Sequence, residues 1–397
     1  MAILLSDAGL HRHLLPLTFT RPVGSLRAGI LSIAEAWKHI TDLPVGFRTE
    51  EYLQAKFPAV EGGRLWEVHG GVLPTAAFAA AVLDLEPGEA LMHGGRPLAF
   101  CTEGGAHAAE MDWAVPPAYF TQVEFRGSIP VLERPWHLFQ HCAEAIAHDF
   151  ELLTVGRRSE VLGALNTVIG DPKLIFLEPG AKVEASILNT TNGPIWVGMD
   201  AEIMEGCMVR GPLALGRNSQ LKMGAKIYGA CSFGPDCRVG GEVKNSVILG
   251  YSNKGHDGFL GNSVLGEWCN LGADTNTSNL KNTYGDVLAW SYAAMALVAT
   301  GQQFLGLVMG DHSKSGINTM FNTGTVAGVC ANIFGSGFPP KHIPSFAWGG
   351  AEGFTTATPD KVFSACGRMM ERRHVHFSAD DEALLRHILQ HMPGQVT

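Results

Sequence analysis

The chain has 397 residues, of which 46% are hydrophobic and 17% charged, and its length predicts two domains with separate cores. The formal net charge of −9 argues against a nucleic-acid-binding protein, because phosphate backbones are bound through clustered Lys and Arg. The 48 Gly and 21 Pro exclude a helical bundle and are typical of a turn-rich β architecture.

The first part of the chain alternates between strand and helix patterns. Short apolar runs predict strands, and 3.6-residue spacing or Ala-rich composition predicts helices. In chain order these segments are residues 2–5, 29–40, 75–83, 90–92 and 136–150. The alternation predicts a Rossmann-like α/β domain over residues 1–165, with a nucleotide site after its first strand.

That nucleotide site has weak sequence support. The stretch from Asp7 to Arg27 contains only Gly9 and Gly24, whereas phosphate-cradling loops are Gly-rich. Its candidate phosphate ligands are arginines, which can bind a pyrophosphate bidentately. They are Arg12, Arg21 and Arg27. The alternative is that these arginines are solvated or paired with nearby acids.

The strongest pattern is a six-residue repeat of large apolar residues. It comprises Val197, Ile203, Val209, Leu215, Leu221, Ile227, Phe233 and Val239. The residue four positions later is nearly always small, as at Ala201, Cys207 and Ala225. This period fits neither a helix nor a half-buried strand, and it predicts a parallel β-helix of hexapeptides over residues 166–350.

The repeat begins and ends irregularly. Leu174 to Ile187 is predicted to form a first irregular coil with Ile187 pointing inward, and the register breaks after Val239. Breaks in a solenoid are places where loops leave the coil and commonly build a binding face.

The break contains the residues that are best suited to ligand binding or catalysis. If a coil has 18 residues, Lys226 lies one coil before Lys244, and the two side chains should stack around an anion. His256 follows in a Gly-flanked loop, and a histidine is suited to accept a proton near neutral pH. The alternative for the lysines is that they diverge into water.

From about Thr358 the pattern becomes helical, so residues 351–397 are predicted to be a C-terminal helical segment. Ser378 with Asp381 has the spacing of a helix start. Helices at the open end of a solenoid can cap it. Arg368, Arg372 and Arg373 could reach phosphates there, although a solvated helix face is the alternative.

The N-terminal sequence and the cysteine spacing suggest a protein of a reducing compartment. No charged and apolar leader follows Met1, and the apolar run from Ala293 to Met309 is interrupted by Gly301 to Gln303, so we expect a soluble, cytoplasmic protein without membrane partners. The eight Cys include no CxxC pair, and we expect buried, reduced side chains rather than disulfides or zinc ligands.

Several motifs resemble one known family in order and spacing. Lys244, the Gly255-His256-x-x-Phe259-Leu260-Gly261 stretch, Asn270 to Ala273 and Asn279 resemble the acetyltransferase half of bifunctional UDP-N-acetylglucosamine pyrophosphorylase/glucosamine-1-phosphate N-acetyltransferases, the GlmU family. Residues 15–23, 310–314 and 332–337 are similar to its divergent sugar nucleotidyltransferase branch.

The resemblance implies an acetyl transfer from acetyl-CoA to glucosamine 1-phosphate in a left-handed β-helix. His256 matches the general base, Lys244 and Lys226 match the cations around the sugar phosphate, and Ala273 matches a position beside CoA. Asn270 and Asn279 match sugar-binding positions, and Phe259 stands where the family usually has a Tyr. A homotrimer with active sites shared between subunits is also implied.

The N-terminal part departs from the family. No Lys follows Pro22, and the Gly-Asp that usually holds magnesium is missing, so Mg²⁺ and UTP are expected only if this site is active. One alternative is an acetyltransferase with a non-catalytic N-terminal domain. Another is a trimeric β-helix scaffold or a zinc-dependent hydratase using His256 and His312, for which no third ligand is evident.

Overall fold

The computed structural model describes residues 1–103, 113–115 and 118–391; residues 392–397 of the predicted C-terminal segment lie outside them. The chain divides into two compact units. Unit 1 comprises Met1–Leu14, Thr20–Leu26 and Leu31–Arg134. Unit 2 comprises Leu15–Phe19, Arg27–Ile30 and Pro135–Thr397.

Unit 1 contains a mixed sheet with helices, in agreement with the predicted α/β class. Its helices are α1 (Ile33–Thr41), α2 (Glu51–Gln54) and α3 (Ala76–Leu83). The strands, in spatial order, are Val45–Arg48, Ala2–Ser6, Arg64–His69, Arg96–Glu103, Glu89–His93 and Thr121–Glu124. The strand Ala2–Ser6 runs parallel to both of its neighbours, and Arg64–His69 pairs antiparallel with Arg96–Glu103.

Helix α1 shows how local sequence sets an element boundary. The predicted helix over residues 29–40 begins instead at Ile33, because Ser32 and Glu35 form a capping box. The predicted helix over residues 136–150 is interrupted at His141 and forms α4 (His137–Gln140) and α5 (Cys142–Thr154). Both of these helices belong to unit 2. The predicted domain boundary at residue 165 stays a prediction.

Unit 2 is a parallel β-solenoid whose strands stack into three faces. Face A consists of Thr167–Ile169, Ile187–Asn189, Met208–Arg210, Lys226–Tyr228, Glu242–Lys244 and Phe259–Gly261. Face B consists of Ile175–Leu177, Ile195–Val197, Leu213–Leu215, Cys231–Phe233, Val247–Gly250, Val264–Glu267, Leu307–Met309, Thr325–Ala327 and His342–Ile343. Face C consists of Lys182–Val183, Glu202–Ile203, Gln220–Leu221, Arg238–Val239, Asn253–Lys254, Asn270–Leu271, Lys314–Ser315, Asn332–Ile333, Ala347–Gly350 and Gly353–Thr356.

The core of the solenoid confirms the hexapeptide prediction. All eight large residues of the repeat, from Val197 to Val239, are buried in one cluster that also contains Cys207, Cys231 and Cys237. One inward assignment was wrong: Ile187 is 41% exposed, and its neighbour Leu188 occupies the core. Strand side chains alternate between faces, so a one-residue error in register exchanges inside and outside. The left-handed sense stays a prediction.

The outer surface of face B is covered by other parts of unit 2. The Phe150 ring of α5 lies 6.4 Å from that of Phe176, and Ser232 Oγ donates to the Gly29 carbonyl at 2.6 Å. Between residues 279 and 306 the chain leaves the coil and forms the hairpin Leu288–Ser291 and Ala296–Ala299. Trp290 of this hairpin stacks on His342 at 4.0 Å. The outward-facing residues of face B that are buried include Phe176, Ala214, Ser232, Val247, Val264, Val308 and Val326.

The corner between faces B and C is a column of left-handed backbone conformations. Its positive-φ residues are Asp200, Asn218, Asp236, Tyr251, Trp268, His312, Cys330 and Phe346. Asp and Asn tolerate this conformation, whereas aromatic residues adopt it at a cost. Tyr251 and Trp268 stack with ring centroids 4.2 Å apart, and Trp268 and His312 are nearly parallel at 6.2 Å.

The C-terminal segment forms two helices, as predicted. These are α6 (Pro359–Glu371) and α7 (Ala379–His391). The predicted start at Ser378 is confirmed, since Ser378 Oγ accepts a hydrogen bond from the Asp381 backbone N–H at 3.2 Å. No helix among the described residues is both long and apolar enough to cross a membrane.

Candidate functional site

His256 lies in a tight loop at the corner where face C turns into face A. The loop follows Asn253–Lys254 and leads into Phe259–Gly261. Gly258 has φ +112°, and a Cβ there would lie 2.2 Å from the Thr275 carbonyl oxygen, so only glycine fits. The His256 side chain is exposed.

A buried lysine holds this loop from inside the solenoid. Lys254 is only 2% exposed, and its ammonium donates to the carbonyl oxygens of Gly240 at 3.0 Å, Asp257 at 3.3 Å and His256. Burial lowers the pKa of Lys254 to about 8, and the nearby Asp257 carboxylate opposes that shift. Lys254 therefore fixes the backbone on which His256 stands.

A cavity of about 550 Å³ opens beside His256 on face C. The predicted residues His256, Asn270 and Ala273 line it. So do four cationic side chains, Lys222, Arg238, Arg372 and Arg373. Within the described ranges, none of these four lies in an ion pair with a carboxylate. We call this space the cationic cavity.

Three of the four cations donate hydrogen bonds to neutral partners. Arg238 donates to the Asn218 carbonyl at 2.7 Å, Lys222 to Gln220 Oε1 at 2.8 Å and Arg373 to Asn253 Oδ1 at 3.0 Å. Burial lowers the pKa of Lys222, and the charge of Arg238 lowers it further. Burial likewise lowers the pKa of Arg238, as does the charge of Arg373. This repulsion is relieved when an anion enters the cavity.

A second group of predicted residues lies on face A. A Cβ on Gly261 would lie 2.5 Å from the Phe259 ring and 2.8 Å from Asn279 Nδ2, so these side chains meet over Gly261. Lys244 pairs with Gly261 in the neighbouring strand. The Lys244 ammonium lies 5.8 Å from the ring centroids of Tyr228 and Phe304. Lys244, Phe259 and Asn279 are thus neighbours.

The predicted stacking of Lys226 on Lys244 is wrong. Met208 pairs with Lys226, 18 positions later, but Lys226 pairs with Glu242 and Lys244 with Tyr228. The coil is two residues shorter here because its corner is only Gly240 and Gly241. A Cβ on Gly241 would lie 2.8 Å from the His256 carbonyl oxygen. Lys226 remains on face A, where it pairs with Glu242. Lys244 lies two residues further along the strand that contains Glu242.

The predicted arginines of the nucleotide site are distributed between the two units. Arg12 and Arg21 belong to unit 1, where Arg12 is exposed and Arg21 buried. Arg27 belongs to unit 2 and donates to the Ile30 carbonyl.

Asp7 organises the loop after the first strand. One carboxylate oxygen accepts from the Val23 N–H at 2.7 Å, and the other accepts from Thr49 Oγ1 at 2.6 Å. His11 Nδ1 lies 3.5 Å from the same carboxylate. Asp7 is therefore engaged in closing the loop. Among the described residues, no group of three or more His, Cys, Asp or Glu could hold a metal ion.

Three features of the site were absent from the sequence predictions. The sequence alone could have revealed Lys254, because a charged residue occupies an interior position that the neighbouring coils fill with Val239 and Leu271. Lys222 and Arg238 had no such signal, since outward-facing cations are ordinary on a solvated strand. All eight cysteines are buried, as predicted.

Comparisons with known proteins agree with this architecture. Residues 2–158 match the family model described as sugar nucleotidyl transferase. The chain is 26% identical over 182 residues to the bifunctional protein GlmU of Synechococcus elongatus, covering 44% of this chain and 36% of that protein. It is 25% identical over 200 residues to a bifunctional sugar-1-phosphate nucleotidylyltransferase/acetyltransferase of Sulfurisphaera tokodaii, covering 49% and 47%.

These matches confirm the resemblance to a divergent GlmU-like family. They indicate a transferase. The chain spans less than half the length of these two curated relatives. Among solved structures, the polysialic-acid-specific acetyltransferase NeuO aligns with 53% of this chain and 93% of its own, at 10% identity and a TM-score of 0.28. At that score the alignment adds nothing to the fold described above.

Proposed function

We propose that this GlmU-like chain is an N-acetyltransferase that moves an acetyl group from acetyl-CoA to the amine of glucosamine 1-phosphate. The observation that carries the proposal is the position of His256 at the cationic cavity, whose four cations form no ion pair among the described residues, although the charges of Glu202 and Asp236 act on Lys222 and Arg238. Both proposed substrates are phosphorylated, so the cavity offers what such ligands require.

His256 acts as the general base. The neutral sugar amine, formed when the ammonium loses a proton to water, attacks the thioester carbonyl carbon of acetyl-CoA, and His256 takes the second proton, which the nitrogen releases as the C–N bond forms. The C–N bond forms as the C–S bond breaks, and the proton on His256 passes to the departing CoA thiolate. Lys254 contributes by fixing the His256 backbone, which keeps the imidazole in position before substrate arrives.

The residues of the cationic cavity and those of face A bind different parts of the substrates. The cationic cavity holds phosphates of CoA, with Ala273 against the cofactor chain and Asn270 near the sugar. Lys244 and Lys226 on face A hold the sugar phosphate, and Phe259 and Asn279 contact the sugar. The two groups belong to different faces of one solenoid, and we propose that a homotrimer completes each site with a neighbouring subunit.

Unit 1 is proposed to use the acetylated product. It would transfer uridylyl from UTP to N-acetylglucosamine 1-phosphate, releasing pyrophosphate and forming UDP-N-acetylglucosamine in the cytoplasm. The family match over residues 2–158 supports this second activity. The departures around Arg21 and the engagement of Asp7 favour the alternative in which unit 1 binds nucleotide without reacting it. Within the described part of the chain, no group of three or more His, Cys, Asp or Glu side chains could hold a magnesium ion.

The decisive experiment compares the purified wild-type chain with His256→Ala. Wild type should acetylate glucosamine 1-phosphate with acetyl-CoA, and the variant should lose about 10²–10⁴-fold in rate, the usual worth of a general base. His39→Ala, an exposed histidine in α1, is the matched control and should keep full activity.

Two outcomes would change the assignment. An unimpaired His256→Ala variant would remove the histidine from its proposed role. A wild type that acetylates no amino sugar phosphate would contradict the substrate class. Addition of UTP and Mg²⁺ then tests unit 1, since absence of pyrophosphate release would select the non-catalytic alternative.

A further inference from the structure

An aromatic stack borders the cationic cavity. Tyr251 and Trp268 stand on successive coils in the corner column, with ring centroids 4.2 Å apart and ring planes within 13° of parallel. Both residues line the cavity. Trp268 is 5% exposed, whereas Tyr251 is only half-buried. One face of the Tyr251 ring is therefore covered by Trp268, and the remaining surface of the ring borders the cavity.

The stack ends at Tyr251. The Tyr251 N–H donates to the Pro235 carbonyl at 2.7 Å, so the corner residue of the preceding coil is Asp236. A carboxylate side chain is too short to cover an aromatic ring as Trp268 does. In the other direction the stack continues, because the His312 ring lies within 9° of parallel to that of Trp268. A planar ligand on Tyr251 would extend this stack by one layer.

The corner conformation makes these aromatic residues costly. Tyr251 has φ +52° and Trp268 has φ +60°, and bulky side chains rarely adopt this left-handed region. The same column carries Asn218 and Asp236, whose side chains tolerate it. Backbone strain of this kind concentrates at ligand sites. The alternative is an aromatic ladder that only stabilises the solenoid, and it predicts that ligand binding does not depend on the Tyr251 ring.

The cations of the cavity begin two residues from this ring. Asn253 pairs with Arg238 of the preceding coil and accepts a hydrogen bond from Arg373 at 3.0 Å. The Cα atoms of Tyr251 and Asn253 are at most about 7 Å apart, a distance that a ribose can bridge between a base and its phosphates. The cavity volume of about 550 Å³ is also that of a small-molecule site, for which roughly 300–1,000 Å³ is usual.

We propose that the cationic cavity binds a purine nucleotide, with the base stacked on Tyr251 and the phosphates among the four cations. Every base has a π-face that can stack on an aromatic side chain, and a purine offers a larger face than a pyrimidine. The guanidinium and ammonium groups supply the phosphate contacts. The nucleotide is either the adenosine 3′-phosphate end of CoA or a free purine nucleotide. Its identity as CoA rests on the proposed function, whereas stacking on Tyr251 does not.

The test measures binding to the full chain by isothermal titration calorimetry and needs no acetylation. The probes are adenosine 3′,5′-bisphosphate, ADP and inorganic pyrophosphate, which has phosphates but no base. Tyr251→Asn removes the ring and suits the left-handed corner, as Asn218 does. The variant should bind adenosine 3′,5′-bisphosphate about tenfold more weakly and pyrophosphate as wild type does. Retained pyrophosphate binding also shows that the variant is folded.

Control variants separate the ring from the charges. Tyr251→Phe keeps the ring and should bind all three probes like wild type. Tyr284→Asn is the matched control, because Tyr284 has φ +57° but is 68% exposed and lies outside the cavity, and it should also bind like wild type. Arg372→Gln should weaken the binding of pyrophosphate and both nucleotides together.

The order of affinities identifies the ligand. Tighter binding of adenosine 3′,5′-bisphosphate than of ADP supports CoA, and the reverse order supports a free purine nucleotide. The proposal is overturned if wild type binds neither nucleotide more tightly than pyrophosphate, or if Tyr251→Asn leaves nucleotide binding unchanged. Equal weakening of nucleotide and pyrophosphate by Tyr251→Asn also overturns it, since the ring would then only support the cavity. Nucleotide binding that needs Tyr251 in a protein that acetylates nothing would contradict the proposed function alone.

Discussion

Lys254 occupies a position in the solenoid interior that adjacent coils give to Val239 and Leu271. A buried ammonium is costly, and it persists only where hydrogen bonds compensate. Three carbonyl oxygens do so here, two of them from the His256 loop. The free-energy cost of burying the Lys254 ammonium is therefore linked to the ordered conformation of the loop that contains His256.

Replacing Lys254 by Met keeps the aliphatic stem and removes the donor. We expect a loss of about 1–3 kcal/mol in the free energy of unfolding, because three buried carbonyl oxygens lose their partner. The acetylation rate should fall about 10- to 100-fold through misplacement of His256. Leu221→Met is the matched control in the same column, because Leu221 does not line the cationic cavity, and it should cost less than about 1.5 kcal/mol with kcat unchanged. Equal kcat in both variants would contradict the positioning role.

The arginines at the end of α6 provide a separate test of the cationic cavity. Arg372 lines the cavity and is exposed, so Arg372→Gln should leave folding intact. Loss of a charged contact to phosphate should raise the KM for acetyl-CoA about tenfold or more. Arg368, one turn earlier, donates to Ser364 Oγ at 2.7 Å, and Arg368→Gln should leave KM unchanged. A KM that responds equally to both would place the CoA phosphates elsewhere.

Sequence reasoning found the residues with local signatures and missed those that depend on the tertiary fold. His256 was recognisable because glycines flank it, and Asn270 and Ala273 because their spacing from it follows the family motif. Of the four cations, Arg372 and Arg373 were named as possible phosphate ligands and Lys222 and Arg238 were not, and the convergence of all four depends on where α6 docks. Nothing local to either segment encodes that docking.

At the scale of elements, the strand Arg64–His69 carries an unusual buried acid. Glu67 is 1% exposed, and Arg48 on the strand Val45–Arg48 lies 3.0 Å from its carboxylate. Burial raises the pKa of Glu67 to about 7, against the opposing effects of Arg48 and Ser6. Ionisation of Glu67 therefore weakens unit 1.

The raised pKa of Glu67 determines the direction in which the free energy of unfolding changes with pH. The pKa of Glu67 in the folded chain lies above its ordinary value, so the folded state binds more protons between about pH 4.5 and 7. Wild type should lose stability as pH rises through that window, whereas Glu67→Gln should not. The difference in free energy of unfolding, variant minus wild type, should grow by up to roughly 3 kcal/mol from pH 4.5 to 8. A pH-independent difference would show that Glu67 titrates normally.

The solenoid elements show where a repeat stops being predictive. Hexads from Val197 to Val239 determine the register unambiguously, because every sixth side chain must enter the core. The short corner at Gly240 and Gly241 then shifts Lys226 out of line with Lys244. A count of residues per coil cannot anticipate a corner that omits two, and the two glycines of this corner lie against the His256 loop, where a Cβ would clash.

At the scale of the whole molecule, the covered face B distinguishes this solenoid from an ordinary repeat protein. Isolated repeats contact only their neighbours and fray from the ends. Here α5 packs near Phe176, Ser232 binds the Gly29 carbonyl, and the hairpin packs on His342. These contacts extend over coils from one end of the face to the other.

We therefore expect the strands of face B to resist amide hydrogen exchange to a similar degree from Ile195–Val197 to Thr325–Ala327. The reason is that opening one coil also requires releasing a covering segment. Exchange measured by mass spectrometry should show uniform protection on face B and weaker protection at Thr167–Ile169, the first strand of face A. Protection that declines steadily from the middle coils toward both ends would indicate repeat-like fraying instead.

The cationic cavity also has a kinetic consequence. The chain carries a net charge of −9, so most of its surface repels a polyanion such as a phosphorylated cofactor. The cavity concentrates positive charge in one concave place, and the field around it guides an approaching anion to the mouth beside His256. Such guidance operates over roughly a Debye length, about 8–10 Å near physiological ionic strength. Added salt would slow capture of the ligand well before it altered the chemistry that follows.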